Sequence, residues 1–270
     1  MARQDNGAGQ SEVRAMKILV ACEESQAITK AFRSLGHEAY SCDLQPSSGG
    51  HPEWHFQDDA LKVASGWFDS NEVTINDNFA LQFDVYSDDK EYEYDEHRIR
   101  EIGWEWDMMI AHPPCTYLSV SGARWMYHNE DKHLPIAERR PHPMHPNRRQ
   151  YQLEALAFVQ ALMDAPIPKI AIENPVSVIS SQIRKPDQII QPYHFGDEAT
   201  KTTCLWLKNL PKLEHTDVVG KGEVIHFKSG KAMSKWAHDT FRLSAKERGK
   251  ARSKTFPGIA KAIATQWSKE

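Results

Sequence analysis

The chain has 270 residues, 40% of them hydrophobic, and a formal net charge of −4. That length suits one large domain or a domain with a small lobe, and the composition is that of an ordinary globular protein. No apolar run approaches the roughly 18 residues that would cross a membrane, and the polar start, MARQDNGAGQSEVRA (1–15), lacks a signal-peptide core and is expected to be a flexible tail. The four cysteines, Cys22, Cys42, Cys115 and Cys204, form no C-x-x-C pair, which argues against a zinc cluster. A disulfide framework is equally unexpected in a chain of this length with no signal, so the sequence implies a reducing cytoplasm.

The fold is expected to start at MKILVA (16–21), an apolar run of strand formers. Ile28, Ala31, Phe32 and Leu35 then recur at helical spacing, with Ser25 placed to cap the helix and Gly36 to stop it. EAYSC (38–42) reads as a second strand ending at Asp43. Strand, helix and strand in so short a stretch is a βαβ unit, which implies a parallel sheet. Residues 66–104 break the rhythm and read as an insertion. From Asp69 to Glu101 eleven acids face three bases, with no clear period.

WDMMIA (106–111) is a further strand, and its C-terminal end carries His112-Pro113-Pro114-Cys115. Residues 124–149 hold four histidines, four prolines and six bases and read as a long loop. Loops of that length beside strand ends often serve function. Its histidines, His128, His133, His142 and His145, are read as loop residues and not as metal ligands, because Pro143 disfavours a helix presenting the last two together. A helix from about Arg148 to Met163, apolar on most faces, is expected to be buried. KIAIE (169–173) is a strand ending in Glu173-Asn174-Pro175, and TCLWL (203–207) is another. From Arg242 to Lys254 six bases face Glu247 alone, a stripe able to follow phosphates or to form a solvated helix face. PGIAKAIATQW (257–267) closes the chain as a helix with Ile259, Ile263 and Trp267 on one face.

In open α/β sheets ligands bind beyond the C-terminal ends of the strands. Those ends here supply Cys22-Glu23-Glu24, Asp43, the His-Pro-Pro-Cys run and Glu173. An acid placed like Asp43 commonly binds ribose hydroxyls. ACEESQ (21–26) has none of the glycines that let backbone approach a pyrophosphate. An adenosine-bearing ligand without phosphate, such as S-adenosylmethionine, fits that combination better. Cys115 alone reads as packing or as a nucleophile, and Glu173 alone as a helix cap or a site acid. Together, on adjacent parallel strands with proline neighbours, they point to a site.

Pro-Pro-Cys after one apolar strand and Glu-Asn-Pro after the next resemble the Pro-Cys and Glu-Asn-Val motifs of the cytosine-C5 DNA methyltransferase family. The likeness runs over most of the chain from Met16. DLQP (43–46) resembles the acidic end of the family's second strand, QDDA (57–60) its Gly-Asp-Ile turn, and RLSAKERGKARSKTFPGIAKAIA (242–264) its late Leu-Thr…Phe-Pro segment. The chain is also similar to compact phage-encoded proteins described as members. The resemblance implies a Rossmann-like class I methyltransferase fold, an α/β architecture with a mostly parallel central sheet and helices on both faces. It implies a catalytic domain over 16–209, a small target-recognition region over 210–254 and a returning helix over 255–270.

The family chemistry carried onto this chain gives Cys115 as the thiolate that adds to cytosine C6. Glu173 contacts N3 and the exocyclic amine, and Lys201 stands where the family has an arginine. Cys22, Glu23, Glu24, Ser25, Asp43, Asp59 and Pro113 would hold S-adenosylmethionine. Arg124, Arg248, Arg252 and Lys254 would contact DNA, with the target base flipped out of the stack. Three features depart from the family: ACEESQ replaces its Phe-x-Gly-x-Gly loop, lysine replaces a forked guanidinium, and only about 45 residues remain for target recognition. A short or relaxed target sequence is therefore expected, and the acidic insertion should lie away from the DNA. The implied setting is the cytoplasm of a bacterial or phage-infected cell, with no membrane partner. Two rival readings stand beside this one: C5 modification of a free pyrimidine nucleotide, and an inert DNA-binding or decoy protein on the same scaffold.

Overall fold

The computed structural model describes residues 14–65, 72–76, 79–82, 101–103 and 105–269. The expected tail lies almost wholly outside the described residues, as does most of the acidic insertion. In chain order the strands are β1 (Lys17–Ala21), β2 (Glu38–Cys42), β3 (His55–Phe56), β4 (Glu72–Asn76), β5 (Phe79–Gln82), β6 (Met108–Ala111), β7 (Lys169–Pro175), β8 (Gln188–Ile190), β9 (Thr203–Lys208), β10 (Val224–His226) and β11 (Ala232–Ser234). The α-helices are α1 (Ala27–Arg33), α2 (Ala60–Ser65), α3 (Arg148–Asp164), α4 (Ile179–Gln182), α5 (Lys235–Phe241), α6 (Ala245–Ser253) and α7 (Pro257–Trp267).

Seven strands form one sheet in the order β3-β2-β1-β6-β7-β9-β8. β1 pairs in parallel with β2 and β6, and β6 with β7; β9 runs antiparallel to both of its neighbours. This is a mostly parallel, Rossmann-like α/β sheet, the architecture the sequence implied. Two antiparallel hairpins stand outside it: β10 with β11, and β4 with β5 inside the acidic insertion, where the sequence showed no period.

Side chains alternate across a strand, so each central strand feeds two cores. Leu19, Ala21, Met109, Ala111, Ile170 and Ile172 face α2 and α3, while Ile18, Val20, Met108, Ile110 and Ala171 face α1 and α7. Burial on both faces is why these strands read as unbroken apolar runs. Ile259, Ile263 and Trp267 are buried together, as their spacing required. The helix α3 departs from expectation. Leu156, Ala157, Val159 and Leu162 are buried in its later turns, while near its start Arg148 is buried but Arg149, Gln150 and Tyr151 are exposed, so full burial is confined to part of the helix. None of the described helices is long and apolar enough to cross a membrane.

The turn after β1 is built without glycine. Cys22 and Gln26 take left-handed backbone conformations, with φ of 58° and 56°. Such conformations cost about 1–3 kcal/mol for ordinary residues and persist only where surroundings enforce them. Here Gln26 Nε2 donates to the His51 carbonyl at 2.8 Å, and its Oε1 accepts from the His51 amide at 3.1 Å. A Cβ on Gly49 would meet the Gln26 side chain at 2.4 Å, so the glycine that the close approach needs stands in the partner loop. Ser25 is not the helix cap. Glu23, buried, accepts the Ile28 amide at 2.7 Å and the Thr29 hydroxyl at 2.7 Å, and so caps α1 from a distance.

Candidate active site

Parallel pairing sets the site. Ala111 at the end of β6 lies level with Ala21 of β1 and Ile172 of β7. One residue further on, His112 therefore stands beside Glu173, and Pro113 beside Asn174. The chain reverses its strand order between β1 and β6, and such a switch point is where a doubly wound sheet opens a crevice for ligand.

Cys115 is fixed from both sides. Upstream, the buried Asn174 donates through Nδ2 to the Pro113 carbonyl at 2.8 Å, and the two prolines restrict φ. Downstream, the Cys115 carbonyl accepts the Leu118 amide at 3.1 Å and the Ser119 amide at 2.9 Å, and Leu118 is wholly buried. Arg148 and Gln152 of α3 hold the Thr116 and Tyr117 carbonyls at 2.8 and 2.9 Å. Between these anchors Cys115 itself is exposed.

Its electrostatic setting is made by three other residues. His112 Nδ1 is hydrogen-bonded to Glu173 Oε2, with both side chains 11% exposed. Burial alone would raise the Glu173 pKa, but His112, Lys201 and a hydrogen bond from Thr203 outweigh it and lower it to about 2. Burial alone would lower the His112 pKa; Glu173 reverses this and raises it. Desolvation of the sulfur raises the Cys115 pKa despite the residue's exposure; the Lys201 charge opposes this and Glu173 adds to it. The site thus favours a carboxylate at Glu173, the charged form of His112 and the neutral form of the Cys115 thiol, with the Lys201 ammonium acting on both catalytic candidates. Cys115, Glu173 and Lys201, separate in sequence, share one field. Lys201 Nζ also donates to the Lys254 carbonyl at 3.4 Å.

On the other side of the switch point, Asp43 and Asp59 both act on Cys22. Burial, then Asp43 and Asp59, raise the Cys22 thiol pKa well above its usual range. Burial raises the Asp43 pKa, opposed by the Gln45 amide and His55, and Glu24 adds to the rise. Two of the expected cofactor ligands are already engaged: Glu23 caps α1, and Asp59 accepts the Leu61 amide at 2.8 Å at the start of α2. Glu24 differs. It is 9% exposed, neither carboxylate oxygen has a hydrogen-bond partner among the described residues, and Lys250 Nζ of α6 stands 3.7 Å away. A buried carboxylate lacking donors suits a cationic group, and S-adenosylmethionine carries both a sulfonium and an ammonium. The residues present therefore fit that ligand, with Glu24 and Asp43 its best candidates. The Ser25 carbonyl lies close against Gly49, and the Pro113 carbonyl is taken by Asn174.

The expected DNA contacts divide in the same way. Arg124 is exposed, its guanidinium 4.8 Å from the Trp125 ring centre, and Lys254 is exposed. Arg248 is half-buried, 5.9 Å from the Phe241 ring. Arg252 serves the fold: its Nε donates to Thr240 Oγ1 at 2.8 Å, and its guanidinium lies 4.6 Å from Phe241, tying α6 to α5. In the long loop, Arg140 and Asp131 pair at 2.7 Å, and His142 and His145 pack edge-on against Trp125 at 5.1 and 5.4 Å. Among the described residues no three metal-ligating side chains converge. A groove of about 510 Å³ between α1 and α7 contains none of the site residues above.

Asn174, Thr203 and Lys250 were not among the residues singled out as site members, and His112 stood there only as part of the His-Pro-Pro-Cys run. Asn174 was visible inside the Glu-Asn-Pro motif, and His112 beside Cys115. Thr203 carries no sequence signal and Lys250 was visible only as one base of the Arg242–Lys254 stripe, because the sheet order and the position of α6 bring them in.

No family model matches the chain, and no curated protein matches it. Among solved structures it is similar to a provisionally assigned DNA modification methyltransferase encoded within an E. coli prophage, with a TM-score of 0.36 and 8% identity over 72% of this chain. The chain covers 46% of that protein's length, and a likeness at this level carries no argument about the site or its reaction.

Proposed function

We propose that the protein is an S-adenosylmethionine-dependent DNA cytosine-C5 methyltransferase. The observation that carries this reading is the convergence of Cys115, Glu173 and Lys201 at one sheet edge, across a switch point from the buried Glu24 carboxylate, whose one ion pair among the described residues is with Lys250. A flipped cytosine laid against Cys115 places Glu173 toward N3 and the exocyclic amine. Lys201 favours the thiolate that attacks C6. As the S–C6 bond forms, the C5–C6 electron pair moves into the ring and N3 takes a proton, leaving an enamine that is nucleophilic at C5. S-adenosylmethionine, when bound, supplies the electrophilic methyl group. Loss of the C5 proton then expels Cys115 and restores the aromatic ring. Arg124, Arg248 and Lys254 remain available to phosphates, and residues 210–254 serve as the small recognition region. The test is to offer methyl-labelled cofactor with DNA of varied sequence and, separately, with dCMP. Label should enter DNA as 5-methylcytosine. Labelling of dCMP alone would move the reading to free nucleotides, and cofactor binding without transfer to either substrate would contradict it.

A further inference from the structure

Addition of a thiolate to cytosine requires a proton at N3, and Glu173 alone is poorly suited to give one. It is already hydrogen-bonded by His112 and Thr203 and faces Lys201, all of which favour its ionised form. The proton must come from a neighbour. His112 is the group in contact, bound through Nδ1 to Glu173 Oε2 and equally buried. Its other nitrogen, Nε2, is buried with no hydrogen-bond partner among the described residues. Charged groups reach His112 from three elements: Glu173 of β7, Glu23 after β1, and Lys201 before β9. Two carboxylates against one ammonium favour the imidazolium, and Glu173 is the acceptor available to it.

We propose that His112 is the proton reservoir of this site and supplies, through Glu173, the proton that cytosine N3 takes up when Cys115 adds to C6. The Nδ1–H bond of His112 breaks and an O–H bond forms on Glu173; that O–H breaks in turn as N3–H forms. Glu173 ends as the carboxylate it began, and His112 ends neutral. The proton returns by the same path when Cys115 leaves. His112 thus acts through Glu173 and is a positioning residue; it does not touch the base. The inference rests on the methyltransferase reading above and adds the source of its proton.

The experiment measures methyl transfer to DNA across pH with the full chain, alongside the His112 imidazole titration followed by NMR. In the wild type kcat should fall on the alkaline side with the same midpoint as the imidazole. His112→Asn should lower kcat by about 100-fold or more, the usual scale of acid–base assistance, with KM for DNA little changed and the alkaline limb gone. A wild-type rate that stays flat while His112 loses its proton overturns the relay without recourse to any variant. So does a His112→Asn enzyme within about threefold of wild type that keeps the same limb. A wild type that methylates no DNA at any pH fails earlier, at the functional reading, and takes the relay with it.

Discussion

Cys115→Ser should lower methyl transfer by at least about a thousandfold while leaving the fold and cofactor binding intact, as removal of a covalent nucleophile does elsewhere. A serine hydroxyl is far harder to ionise than a thiol, and Lys201 is not enough to close that gap. The structural cost is small because Cys115 is exposed and the anchors that hold its loop are backbone contacts at Pro113, Thr116, Tyr117 and Leu118. A surface change of this kind stays within about 0.5 kcal/mol. The readouts are initial rate on DNA, calorimetric titration with S-adenosylmethionine, and melting temperature. Near-normal turnover would remove Cys115 from the mechanism.

Glu173→Gln should cost about 10²- to 10⁴-fold in kcat, since the amide keeps the shape but cannot pass a proton. It should also change how stability depends on pH. The Glu173 pKa is depressed to about 2, so its contribution is present above its unfolded value and fades as pH falls through the carboxylate range toward 2. The His112 pKa is raised, so its contribution is complete below its unfolded value and fades as pH rises through the folded one. The ion pair is therefore worth most between about pH 4.5 and 6.5, the ordinary values of the two groups. The melting-temperature gap between wild type and Glu173→Gln should be widest in that window. A gap that is constant from pH 3 to 9 would mean that the pair adds no charge-dependent stability.

Much of this molecule was legible before its structure. β1, β2, β6, β7 and β9 are buried on both faces and α7 carries a clean apolar stripe, so local pattern and final environment agree; α1 buries Ile28 and Phe32 but ends at Arg33 and leaves Leu35 exposed. The two-residue β3 and the three-residue β8 are too short to show a period. The direction of β9 could not be read either, since an antiparallel insertion between β7 and β8 is decided by connections and not by composition. The candidate site was legible as motifs and not as partnerships. Cys115 and Glu173 stood out through their proline and asparagine neighbours. The bond between His112 and Glu173, 61 residues apart, exists only because β6 and β7 pair in parallel and in that register. The same kind of long-range contact engages two of the expected site residues. Glu23 reads as a free strand-end acid until α1 turns its amides toward it, and Arg252 reads as a phosphate ligand until α5 packs beside it. The missing glycines were real, but the tight turn survives through the enforced backbone of Cys22 and Gln26.

The most direct measurement offers the protein DNA containing 5-fluorocytosine together with S-adenosylmethionine. Fluorine at C5 cannot leave as a cation, so an enzyme that has added through Cys115 and transferred its methyl group stalls before elimination. The account predicts a covalent protein–DNA adduct that depends on the cofactor, maps by mass spectrometry to the peptide bearing Cys115, and is absent from Cys115→Ser. Methylation of ordinary DNA with no such adduct, or an adduct through another residue, would contradict it.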